Sequence, residues 1–141
     1  MSAVRTPSVA GRFYEGTADG LRRQIETVFH HEHGPGEIPS VANRPPDIDA
    51  IVSPHAGYPY SGPVAAHGFG ELAKRGTPDV AIVLGPNHDG RGAVAALSGA
   101  ERWETPLGTV PIHEEVRDRI QGASETLTVD AAYVDAHLGD L

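Results

Sequence analysis

Two short β-branched runs, separated by a single stretch of helix length, constrain this chain most. Ile48 to Ser53 stops at Pro54, and Val80 to Leu84 stops at Gly85-Pro86. Both have the length and the Val/Ile content of buried strands. Between them, Pro63 suits a first helical turn and opens Val64 to Lys74, where Val64, His67, Gly68 and Leu72 recur on a face able to meet a sheet. A strand, helix, strand unit makes its two strands parallel and its crossover right-handed. The expectation is therefore two adjacent parallel strands, Ile48–Ser53 and Val80–Leu84, with their carboxyl ends on one side.

The rest of the chain agrees with an α/β reading. From Thr17 or Asp19 as N-cap, Leu21, Ile25, Val28 and Phe29 recur at helical spacing, while Arg22, Arg23, Gln24 and Glu26 fall on the other face. Ala93 to Ser98 offers a third strand, Val110 to Ile112 a fourth piece, and Glu114 to Gln121 a helix with Val116 and Ile120 inward. His30 to Pro46, rich in Gly and Pro, reads as a long connection. The fold class is α/β, a mostly parallel sheet with flanking helices, and residues 1–141 are taken as a single domain.

Composition narrows the function classes. With 39% hydrophobic and 21% charged residues, the 141-residue chain has the make-up of a globular domain. Eleven Lys+Arg against 19 Asp+Glu leave a net charge of -8, which repels phosphate backbones and anionic lipid surfaces. No nucleic-acid or membrane partner is expected. Without cysteine there is no disulfide, thiolate ligand or cysteine nucleophile. No apolar run approaches the roughly 20 residues that span a bilayer, and none resembles a signal peptide, so a cytoplasmic location is expected.

The informative residues are histidines. His55 follows the first run by one proline, and His88 follows the second by Gly-Pro-Asn, so both fall at the carboxyl edge of the expected sheet, where open α/β sheets bind ligands. Adjacent strands lie about 4.8 Å apart, close enough for two imidazoles to share a metal at about 2.1 Å. The alternative is that each histidine simply caps a strand end and bonds a loop carbonyl. Asn87 is placed to orient His88, and Tyr58, Tyr60 and Ser61 to line a pocket as hydrogen-bonding groups or to pack the loop. His30, His31 and His33 form a His-rich tract that reads as a solvated loop at a helix end, with metal binding as the alternative. His67 reads as a packed helix histidine and Trp103 as core or pocket wall.

The flanking residues carry a family resemblance. Ser53-Pro54-His55-Ala56-Gly57-Tyr58-Pro59-Tyr60-Ser61-Gly62-Pro63 and Leu84-Gly85-Pro86-Asn87-His88 closely resemble two loop motifs of the Memo family, also called AmmeMemoRadiSam system protein B. Arg5-Thr6-Pro7 with Val9-Ala10-Gly11-Arg12-Phe13-Tyr14 resembles that family's opening, and Trp103-Glu104-Thr105-Pro106-Leu107-Gly108 its next landmark. Asp135-Ala136-His137 resembles the start of a later motif, which adds His137 to the pocket candidates. The resemblance implies the N-terminal half of a longer domain whose fold is similar to the class III extradiol dioxygenases, which hold a non-haem iron with two His and a carboxylate. It makes His55 and His88 the pocket histidines and puts the remaining ligand outside this chain. Iron or copper is what the family implies. Imidazole suits zinc as well. A sheet cut short at its C-terminal side invites self-association through an unpaired edge.

Two function classes follow. One is a metal-dependent oxidoreductase-like protein with His55 and His88 as ligands. The other is a non-catalytic module that holds a peptide or small ligand in the same cleft.

Overall fold

A computed structural model describes residues 4–88 and 93–129. Among the described residues there are three helices and five short strands, and the chain divides into two compact units: Gly11–Ile82, and Met1–Ala10 together with Val83–Leu141.

The unit Gly11–Ile82 is built on two helices. The first, α1 (Ala18–His30), starts where Thr17, in extended backbone, accepts a hydrogen bond from the Gly20 amide at 3.2 Å through its side-chain oxygen. Asp19 in the first turn and His30 in the last suit the helix dipole. Leu21 and Val28 are buried and Arg22, Arg23 and Glu26 exposed, as the spacing requires. Gln24 departs from that division: it is half-buried, and its side-chain carbonyl accepts the Glu15 amide at 2.8 Å, tying the incoming chain to the helix.

The second helix, α2 (Tyr58–Arg75), begins six residues before Val64, with Gly57 as its N-cap. Pro59 therefore occupies the first turn, and Pro63 lies inside the helix, where the ring removes one amide donor. Sequence spacing mistook the second proline for the helix start. Its buried face is also different from the expected one, comprising Ser61, Gly62, Pro63, Ala66 and Gly70, with Val64 and His67 exposed. Small residues four apart let α1 approach closely. A Cβ built on Gly62 would lie 2.7 Å from Val28 Cγ1, and one on Gly70 would lie 3.5 Å from Phe29.

The connection His30–Pro46 returns along α2. Gly36, with φ +88°, donates to Phe29 O at 2.9 Å, and the Ala42 amide donates to Ala73 O at 2.8 Å. The loop reading of this stretch holds.

The expected central strand pair is not formed. Ile48–Ser53 and Val80–Leu84 belong to no strand, and neither pairs with the other. β-branched content favours extended backbone locally, but a strand exists only through hydrogen bonds to a neighbour, and Val52, 99% exposed, and Leu84, 88% exposed, have one side bare.

The other unit contains two small sheets. Strand β1 (Val4–Arg5) pairs in parallel with β3 (Arg102–Thr105), which pairs antiparallel with β4 (Gly108–Pro111) in the order β1-β3-β4. The β3–β4 hairpin turns through Pro106 and Leu107. It closes with the Thr105 hydroxyl donating to Gly108 O at 3.1 Å and accepting the Leu107 amide at 3.1 Å, while Gly108 takes φ +137°. Strand β2 (Ala95–Leu97) runs parallel to β5 (Leu127–Val129), with Ala95 opposite Leu127. Helix α3 (Glu114–Gly122), capped by the His113 side chain, lies between β4 and β5 in sequence, with Val116 and Ile120 half-buried. The third strand, the fourth piece and the last helix thus fall where expected within a residue or two. The architecture is α/β with mixed sheets.

Candidate functional site

His55 stands three residues before α2 begins. From Ile51 to His55 burial alternates: Ile51, Ser53 and His55 are half-buried, Val52 and Pro54 exposed. Ile51 faces α2, since a Cβ on Gly68 would sit 3.7 Å from Ile51 Cδ1. The turn after His55 is held from two sides. Ser61, in the first turns of α2 and 9% exposed, donates its hydroxyl to Ala56 O at 2.9 Å. The Tyr58 amide donates to Phe13 O at 2.8 Å, which ties α2 to the segment before α1. Two hydrogen bonds thus anchor the turn after His55, and Gly57 within it is buried.

Tyr58 and Tyr60, expected in a loop, sit in the first turn of α2. Tyr58 packs against Tyr14 with ring centroids 5.7 Å apart, and burial, then the neighbouring Tyr14, push its phenol above the usual value of 10.0. Tyr60 points outward and is 86% exposed. Sequence reasoning missed the Tyr14–Tyr58 pair; the signal was the Phe13-Tyr14 end of the opening block, which was read only as a landmark.

The raised Tyr58 value has a consequence for stability. Above pH 10.0, the value of an unperturbed phenol, the unfolded chain releases this proton before the folded chain does, so the folded state loses stability as pH rises. Tyr58→Phe removes that loss. Urea unfolding at pH 9 and pH 11 should show a smaller alkaline decline for Tyr58→Phe than for the parent, whereas Tyr60→Phe should match the parent. Equal declines in all three would refute the assignment.

His88 and Asn87 lie at the exposed end of the run that opens the other unit, so His55 and His88 belong to different units. His137 lies outside the described residues. Among the described residues, no group of three or more His, Asp or Glu side chains comes together as a metal cluster. The His-rich tract forms a turn at the end of α1: the His31 and His33 rings are 5.3 Å apart, His30 Nδ1 bonds Gly36 O at 3.0 Å, and His67 Nε2 bonds His33 O at 3.0 Å. His67, expected to be packed, is exposed and latches this turn to α2. A recess of about 260 Å³ between Asn43–Pro45 and Thr77–Asp79 contains none of the expected site residues.

In the second unit, Trp103 is part of a small packed cluster. Arg5, buried, places its guanidinium 4.5 Å from the Trp103 ring centre, and the indole donates to Ser98 Oγ at 3.0 Å. The parallel register that sets Arg5 opposite Trp103 builds this contact, and it joins two of the sequence blocks noted above.

Residues 5–138 match the Memo-like protein family. The chain belongs to that family. It is 46% identical over 129 residues to a MEMO1 family protein of Sulfurisphaera tokodaii, covering 90% of this chain and 45% of that protein. Against a MEMO1 family protein of Methanothermobacter thermautotrophicus it is 44% identical over 137 residues, 97% of this chain and 48% of the relative. A MEMO1 family protein of Methanopyrus kandleri is 48% identical over 111 residues, 79% of this chain and 39% of the relative. The Memo-like chain therefore spans less than half the length of these relatives. Among the described residues no helix is long and apolar enough to cross a membrane.

Proposed function

We propose that this chain supplies two imidazole ligands, His55 and His88, to a metal site of an oxidoreductase-like Memo protein with a fold similar to the extradiol dioxygenases. The observation that carries the reading is the placement of both histidines in the two motifs of a family to which the chain belongs, Pro54-His55-Ala56-Gly57-Tyr58 and Gly85-Pro86-Asn87-His88. The donor type fits iron, copper or zinc. The donor number is short, since catalytic sites usually have three protein ligands and no group of three or more such side chains forms among the described residues. When bound, the metal would act as a Lewis acid with open positions for a ligand. This chain's part is to hold His55 on the Ser61–Ala56 and Tyr58–Phe13 hydrogen bonds, with Asn87 beside His88 as its orienting neighbour.

A second reading, a module that holds a peptide or small ligand without chemistry, is favoured by the exposed Tyr60, five residues after His55 in the sequence, an amphipathic ring of the kind that lines recognition surfaces. Titration calorimetry with ferrous iron and with zinc separates the two. Two imidazoles with water completing the shell should bind weakly, His55→Ala and His88→Ala should each remove most of the affinity, and His31→Ala should leave it unchanged. Binding should also weaken on acidification, because imidazole must be neutral to coordinate. Loss of binding in His31→Ala with retention in His55→Ala would move the site to the turn after α1 and overturn the proposal.

A further inference from the structure

No further inference is drawn: the strongest candidate, the recess of about 260 Å³ at the C-terminal end of α2 between Asn43–Pro45 and Thr77–Asp79, carries nothing, because its polar side chains are exposed, its Arg44 is already paired with Asp47, and nothing in the structure shows what would occupy it.

Discussion

Gly76→Ala is expected to destabilise the unit Gly11–Ile82 by about 3 kcal/mol, from a strained backbone and a steric clash acting together. Gly76 ends α2 at φ +151°, a conformation that L side chains rarely adopt, and its amide closes the helix on Leu72 O at 3.0 Å. A Cβ there would meet Arg44 O and the N and Cα of Pro46, each at 2.6 Å. These are backbone atoms with little freedom to retreat. The Thr77 amide donates to Arg44 O at 2.9 Å, the Thr77 hydroxyl donates to Ala42 O at 3.1 Å, and proline stiffens the facing strand of chain. Arg75 and Arg44 both reach Asp47 across the same junction, and the Arg44 hydrogen bond in particular holds the Asp47 carboxyl below its usual value. Gly122→Ala, where a Cβ would meet nothing within 4 Å, is the control and should change stability little. Urea unfolding of both variants gives the comparison, and a Gly76→Ala loss below about 1 kcal/mol would show that the α2 end is free to rearrange.

What the sequence disclosed and what it concealed divide along the line between local and non-local interactions. The start of α1 was legible because a Thr17 cap and an apolar period of 3.6 are contained within a dozen residues. The β4 and α3 positions were legible for the same reason. The start of α2 was not, because two prolines, Pro59 and Pro63, both suit a helical N-terminus, and it is the Ser61 amide donating to Gly57 O at 3.1 Å that shows the helix under way from Tyr58. Strands β1 and β3 passed unnoticed: Val4–Arg5 is two residues long and Arg102–Thr105 reads as polar, and what makes them strands is their mutual pairing with Arg5 seated over Trp103. The reverse error, two β-branched runs taken for a strand pair, has the same origin, since composition reports backbone preference and pairing needs a partner. At the candidate site, the motif histidines and the order of the blocks were legible from residue identity. The Tyr14–Tyr58 packing and the outward direction of Tyr60 needed the helix register.

Gly62→Val should cost about 3 kcal/mol, and the loss should be partly restored by shrinking the residue it strikes. The buried face of α2 meets α1 across Gly62, where even a single Cβ would stand 2.7 Å from Val28 Cγ1 and 3.3 Å from Val28 Cβ. Valine at position 28 is branched at Cβ and holds one rotamer in a helix, so it cannot swing aside as a longer chain would. Forcing two branched side chains into this space separates the helices or strains them, which typically costs 1–3 kcal/mol by overpacking alone, at roughly the upper end for a group as large as isopropyl. Val28→Ala by itself should cost about 2 kcal/mol, because Val28 is a buried apolar side chain. If the clash is the cause, the double variant Gly62→Val with Val28→Ala will lose less than the sum of the single losses, with a coupling of about 1–2 kcal/mol. Additive losses would mean that the helices do not meet at this pair. The same contact bears on the candidate site, since Gly62 follows Ser61 and its Cβ would also lie 3.5 Å from Tyr58 Cβ. A shift of α2 here therefore disturbs the Ser61 bond that holds the turn after His55, and weakened metal binding in Gly62→Val, recovered in the double variant, would connect helix packing to the histidine it supports.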